Sequence, residues 1–151
     1  MPNSAEEWLQ ISDKFEQKWN FPHVIGAIDC KHINIQAPIN SATEYYNYKG
    51  FFSIILIGVV DANYNFIFAD VGCQGRISDG RGFKNKILYK QLEKQTLDLP
   101  SPKPVWIPYC VDVPYMMLGD KAFSLKDYTM KLFDGNPASG SPERIFQLPS
   151  F

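Results

Sequence analysis

Apolar residues near the start of the chain recur at helical spacing. Trp8, Ile11, Phe15 and Trp19 fall within about 80° of arc at 100° per residue, a single stripe, so residues 5–19 are predicted to form a helix docked on something larger. Ser4-Ala5-Glu6-Glu7 in front of it reads as a capping box, and Phe21-Pro22 ends it. The pattern then turns strand-like. Val24 to Ile35 is apolar in its first half and mixed in its second, with Asp29 where the character changes. A polar loop, 37–50, carries the cluster Tyr45-Tyr46-Asn47-Tyr48-Lys49. Phe51 to Val60 is a nearly unbroken apolar and β-branched run, as expected of a strand covered on both faces. Turn residues at 62–65 separate it from Phe66 to Val71, so the two runs predict a hairpin.

Gly72 to Gly82 holds four of the ten glycines beside Arg76, Asp79 and Arg81, which predicts a sharply turning loop. A helix is predicted over 83–96, although Phe83, Ile87, Leu88 and Leu92 do not share one face; Lys86, Lys90 and Lys94 do align at i, i+4, i+8. Residues 100–114 contain five of the eleven prolines and read as an extended connection without regular structure. Tyr115 to Asp120 is a short strand ending in an acid. A hairpin joined through a helix to a later strand implies a mixed sheet with helices packed on it, an α/β or α+β layer fold.

Composition narrows the class. With 151 residues, 45% hydrophobic and 21% charged, the chain sits among ordinary globular domains, and disorder, collagen and coiled coil are excluded. One domain is expected, with residues 1–23 as a helix packed on a core formed by 24–151. Phe51 to Val60 is half of what a membrane-spanning helix needs, so no membrane partner is expected. Three widely spaced cysteines, Cys30, Cys73 and Cys110, fit a reducing compartment and argue against disulfides and structural zinc. A net charge of −1 does not forbid a local basic groove.

Asp29 and Asp120 share a context that most acidic residues lack, each lying in or at the end of an apolar strand-like run. Burying a carboxylate there costs several kcal/mol unless it is paired or binds a cation. Two strand-borne carboxylates on neighbouring strands are the minimum for a magnesium site, which takes oxygen ligands and keeps several waters. The alternative is structural: Asp29 pairs with Lys31 or Lys121, and Asp120 caps the following segment. Asp61 and Asp70 flank the hairpin and are expected to cap its turn. His23 and His32 lack zinc spacing, and the cysteines read as apolar fillers. Gly72-Cys73-Gln74-Gly75-Arg76 offers backbone amides to a phosphate, but no Walker lysine follows. The lysine row can track a phosphate backbone or form a solvated helix face.

The wording of the segments adds more. Ile25-Gly26-Ala27-Ile28-Asp29-Cys30-Lys31-His32-Ile33 resembles the first catalytic block of Harbinger-type transposases and the nucleases derived from them, within the DDE endonuclease superfamily. Further blocks agree in order: Tyr45 to Ser53, Val60 to Tyr64, Asp70 to Cys73 with Gly75 to Gly80, and Gly119 to Phe123. The resemblance runs from about Trp8 to Phe146. It implies a ribonuclease H-like mixed sheet with flanking helices, in which Asp29 and Asp120 are the first two of three acids holding a pair of divalent metals, Mg2+ or Mn2+, for phosphodiester hydrolysis or strand transfer. Arg76, Lys86, Lys90 and Lys94 are the candidate contacts to DNA.

The third acid of the family is a glutamate on a helix after an arginine-containing block. Here Arg144-Ile145-Phe146 leads into Gln147-Leu148-Pro149-Ser150-Phe151, and none of Asp127, Asp134 and Glu143 stands in the matching context. The expectation is a partial catalytic domain, truncated at its C-terminal side, without the final catalytic helix and with no third ligand in this chain. It would be a weakened or inactive endonuclease or, alternatively, a non-catalytic remnant that binds DNA or protein. The resemblance also implies a nuclear location, with the cytoplasm as the alternative, and a Myb-like targeting partner.

Overall fold

The computed structural model describes residues 1–105, 111–120 and 122–131. Helix α1, Ala5–Trp19, forms where the apolar stripe predicts it: the Ser4 side chain accepts from the Glu7 amide, and Asn20 closes the C-terminus in the left-handed region at φ 52°. Strands β1 (Val24–Asn34), β2 (Ser53–Val60) and β3 (Phe66–Gln74) follow, then the short helices α2 (Asp79–Lys84) and α3 (Ile87–Glu93). Two-residue strands β4 (Lys103–Pro104) and β5 (Asp112–Val113) pair with each other, so the proline-rich connection is not wholly irregular. Strands β6 (Met116–Gly119) and β7 (Thr129–Lys131) complete the chain as described.

The main sheet has the order β3-β2-β1-β6-β7. β1, β2 and β3 pair antiparallel, whereas β6 lies parallel to β1 and β7 parallel to β6. A three-stranded meander extended by parallel strands, with helices packed on it, is the mixed α+β arrangement of the ribonuclease H-like fold. Strand alternation divides the side chains between two faces. Ile28 of β1, Ile55, Ile57 and Val59 of β2, and Met117 of β6 meet Phe83, Leu88 and Leu92 of the helices in the main core. On the other face Val24 and Leu118 pack with Phe15 of α1 and with Phe21, while Trp8 joins the main core, so α1 straddles the two.

The helix expected over 83–96 is broken: α2 begins at Asp79, inside the expected glycine loop, and ends at Lys84, while α3 covers Ile87–Glu93. Asn85 caps α2, and Lys86 is extended at φ −84°, ψ 155° before α3 begins. In one continuous helix Phe83 and Leu88 would stand about 140° apart; the break lets both reach the core, at 4% and 0% exposure, and leaves Ile87 outside at 63%. β3 also runs three residues beyond Val71. Its register to β2 jumps from Val71 to Cys73, so Gly72 is an extra residue, held at φ 122° where a side chain would be strained.

Asp61 organises the β2–β3 turn. Its Oδ1 accepts from the amides of Asn63 and Asn65, at 2.8 and 2.9 Å, and its Oδ2 from the Asn65 side chain. Partial burial pushes this carboxyl up, but the bonds from Asn65 and Asn63, with Lys14 nearby, outweigh it and hold Asp61 below the usual range. A depressed native pKa means stabilisation that is present above the ordinary value of about 3.9 and lost as pH falls through the folded value. Asp61→Ala should therefore lose about 1–2 kcal/mol at pH 7, and the gap to the parent should close in urea melts repeated below pH 4.

Candidate active site

The parallel pairing of β1 with β6 decides where the two strand-borne carboxylates go. Ile28 is in register with Gly119, so Asp29 and Asp120 are the next residues along two neighbouring strands, with backbones about 5 Å apart. Both carboxylates line one groove of about 390 Å³ on the sheet face away from α2 and α3. Ala27, Leu56, Gly58, Val60 and Leu118 form much of its floor, and Lys31, Tyr64 and Phe66 also border it.

Each acid is held by its own main chain. Asp29 Oδ1 accepts from the Cys30 amide at 2.7 Å, and Asp120 Oδ1 from the Ala122 amide at 2.9 Å. The Asp120 turn is backed by α2, where a Cβ on Gly80 would stand 2.4 Å from the Ala122 carbonyl oxygen. Among the described residues Lys31 forms no ion pair with Asp29, although they share the groove; Lys121 lies outside the described residues. Two exposed carboxylates, each with one oxygen tied down, form a hard donor pair suited to a magnesium-class cation that keeps several waters. No set of three His, Cys, Asp or Glu side chains among the described residues is placed to hold a metal. The pair supplies two carboxylates only, and a two-cation centre would need another ligand. Asp127 lines a different groove, between α3 and the proline-rich connection, and Asp134 and Glu143 lie outside the described residues.

The expected basic contacts are dispersed. Lys90 and Lys94 are exposed. Lys86 is not part of a solvated row: its side chain is 14% exposed and pairs with Asp70 of β3. Burial pulls the Lys86 ammonium down, but hydrogen bonds to Asp70 and Cys73 outweigh it and hold it above the usual lysine value. Asp70 is accordingly the partner of Lys86 across the layer between β3 and the helices, not a cap of the hairpin turn. Arg76 is exposed and reaches the Thr43 hydroxyl at 3.5 Å. The glycine segment is no phosphate cradle, because the amides of Gly75, Arg76 and Ile77 are bonded to the carbonyls of Ser53, Glu44 and Gln74.

Both histidines are satisfied within the fold. His23 Nδ1 lies 2.9 Å from the Val113 carbonyl and its ring stacks on Tyr115 at 4.3 Å. His32 Nδ1 lies 2.9 Å from the Ser53 hydroxyl, which also accepts from Asn47. Cys30 and Cys73 form no disulfide among the described residues, and Cys110 lies outside them. Sequence reasoning did not find Phe66 and Tyr64 beside the acids. Tyr64 stood at the end of a matching block without a role attached, and the signal of Phe66 was aromatic character at a hairpin, which more often means core.

With this geometry in view, similarities to known proteins are informative. The family profile described as DDE superfamily endonuclease matches residues 28–146, a span containing both acids. The Xenopus laevis protein named "Putative nuclease HARBI1" is 26% identical over 129 residues, which is 85% of this chain and 33% of that protein. The Arabidopsis thaliana "Protein ALP1-like" is 29% identical over 132 residues, 86% of this chain and 32% of that protein. The Rattus norvegicus protein that shares the frog protein's name is 28% identical over 120 residues. The chain thus spans about a third of the length of these relatives. No solved structure matches it.

Proposed function

The chain belongs to the DDE superfamily endonucleases, and on that footing we propose that it is the catalytic core of a transposase-derived, divalent-metal-dependent DNA endonuclease whose metal is held by Asp29 and Asp120. The single observation that carries this reading is the convergence of those two carboxylates, 91 positions apart in the sequence, in one groove through the β1–β6 register. A bound Mg2+ or Mn2+ would supply Lewis-acid stabilisation of charge on a scissile phosphodiester.

The residues of the chain do the rest. The Cys30 and Ala122 amides fix the carboxylates, so little reorganisation is needed to receive a cation. Lys31 brings a positive charge to the groove for a phosphate oxygen. Arg76 adds positive charge on exposed surface for the DNA backbone, whereas Lys90 and Lys94 stand at α3, across the sheet from the groove, and Lys86 is committed to Asp70. A nuclear location and a Myb-like targeting partner belong to the same reading. No helix among the described residues is long and apolar enough to cross a membrane.

One observation favours a second reading: among the described residues only two acids line the groove. A two-ligand site binds metal weakly, and a non-catalytic DNA- or protein-binding remnant would need no more. Incubation of purified protein with supercoiled plasmid and millimolar Mn2+ separates the two. The nuclease reading expects nicking that EDTA and Asp120→Asn both abolish. DNA binding that falls with salt, ignores metal and yields no nicking would instead establish the remnant.

A further inference from the structure

The groove beside Asp29 and Asp120 is more apolar than a phosphate and a hydrated cation require. Two large aromatic rings border it while open to solvent, Phe66 at 63% and Tyr64 at 49% exposure. Exposed apolar surface that is contiguous and rimmed by polar groups marks recognition sites, and here the two rings border the same groove as Asp29, Asp120 and Lys31. Resting on the reading of this groove as a nuclease centre, we propose that Phe66, flanked by Tyr64, is a stacking platform for an unpaired nucleobase next to the scissile phosphate.

Placement comes first. Gly58 of β2 is the register partner of Asp29 on β1. A Cβ built on Gly58 would stand 2.8 Å from Phe66 Cε1, so the ring lies over the one position in that stretch of β2 that has no side chain. The first carboxylate and the aromatic platform are thus one strand spacing apart, about 5 Å. A nucleotide whose phosphate meets the carboxylate-held cation has its base within reach of the ring, provided that base has left the duplex stack.

Rigidity is second. Tyr64 sits at φ 66°, a conformation unfavourable for an aromatic residue, and its amide bonds to the Asp61 carbonyl within the turn that the Asp61 carboxylate organises. The turn is also fastened to α1: Trp19 Nε1 donates to the Ala62 carbonyl at 3.1 Å, Lys18 Nζ donates to Asn63 Oδ1 at 3.2 Å, and the Trp19 and Tyr64 rings meet edge to face. A base therefore docks on a surface that is already ordered.

Charge complementarity is third, and it selects a nucleic acid over an apolar peptide. Lys31 borders the groove beside the acids, and Lys18 Nζ lies 5.5 Å from the centre of the Tyr64 ring. Cations on two sides of exposed rings suit a strand whose bases are flat and apolar and whose backbone is anionic. Every base has a π face, so the platform is tolerant of sequence.

The test uses the whole chain in EDTA, so that neither metal binding nor cleavage enters. Its probes are a single-stranded oligonucleotide and a duplex with one unpaired 2-aminopurine. Binding by the parent protein should quench 2-aminopurine fluorescence. Phe66→Leu, which keeps apolar packing but removes the ring, should lose the quench and weaken binding about tenfold, and Phe66→Trp should restore both. Unchanged binding and quench in Phe66→Leu would overturn the platform, even if metal-dependent nicking persists. So would conversion of an oligomer to a monomer by Phe66→Leu with DNA affinity unaltered, since the rings would then cover a second copy. A quench that depends on Phe66 in a protein that never cleaves DNA would retain the platform and refute the nuclease reading alone.

Discussion

Asp29→Asn should reduce Mn2+ affinity by at least about tenfold, a loss of 1.4 kcal/mol or more, while leaving the fold intact. The amide retains the shape of the carboxylate and its Oδ1 can still accept from the Cys30 amide, so the local turn survives. What is lost is one of two negative charges in a site where each supplies half of the protein's anionic ligands. Asp29 is exposed, so its replacement leaves no buried charge stranded and the melting temperature should move little. Mn2+ titration followed by electron paramagnetic resonance reads the result directly. Asp120→Asn should have a comparable effect, and the double variant should bind no tighter than nonspecific surface carboxylates. Parent-like Mn2+ binding by either single variant would show that the two acids do not share a cation. Because the measurement needs no DNA, it separates failure of the metal site from failure of catalysis.

How much of this was legible beforehand depended on whether the determining contacts were local. Helix α1 and the β2–β3 hairpin could be read because their signals lie within a few residues: the Ser4 cap, the Trp8-Ile11-Phe15 stripe and the turn residues around Asn63. The fracture at Lys86 could not. It reflects the need of Phe83 and Leu88 to reach one core and the reach of Lys86 to Asp70, a residue on another element. The three residues of β7 carry too little pattern to announce a strand, and they form one because β6 offers a parallel edge.

The acids were visible in the sequence as carboxylates in apolar runs, yet their meeting depends on the register of Ile28 with Gly119, which no local pattern encodes. Phe66 was hidden for the opposite reason. In Phe66-Ile67-Phe68 every residue is apolar, so alternation gives no hint of which one faces the groove, and only the pairing of Val60 with Phe66 reveals it. The glycine segment was misleading because composition records backbone freedom without saying which carbonyl consumes each amide.

That segment supplies the largest expected effect on stability. Gly75→Ala should destabilise the protein by about 3 kcal/mol, at the upper end for overpacking, and lower its melting temperature by roughly 6–12 °C for a chain of this size. A Cβ at this position would stand 2.2 Å from Ser53 Oγ, 2.6 Å from the Ser53 carbonyl oxygen and 2.7 Å from the Tyr45 carbonyl oxygen. Two of those three atoms are main chain. Ser53 is fully buried and its hydroxyl is engaged by His32 and Asn47, so the near side of the contact cannot give way without breaking that network. The far side cannot retreat cheaply either, because the Tyr45 carbonyl accepts from the Ser53 amide at 2.8 Å. Gly82→Ala provides a control of opposite sign. A Cβ there meets only Ile57 Cδ1 at 3.6 Å and Cys73 atoms at 3.7 and 4.0 Å, ordinary packing distances, and it lies inside α2. Alanine is preferred to glycine in a helix by about 0.5–1 kcal/mol, so this variant should melt slightly higher than the parent. Differential scanning calorimetry of the two variants side by side decides the matter. If Gly75→Ala melts within about 2 °C of the parent, the 37–52 loop is not pinned on the start of β2 as described. A large drop would instead place the stability of the sheet, and with it the strand that backs Asp29, at this corner.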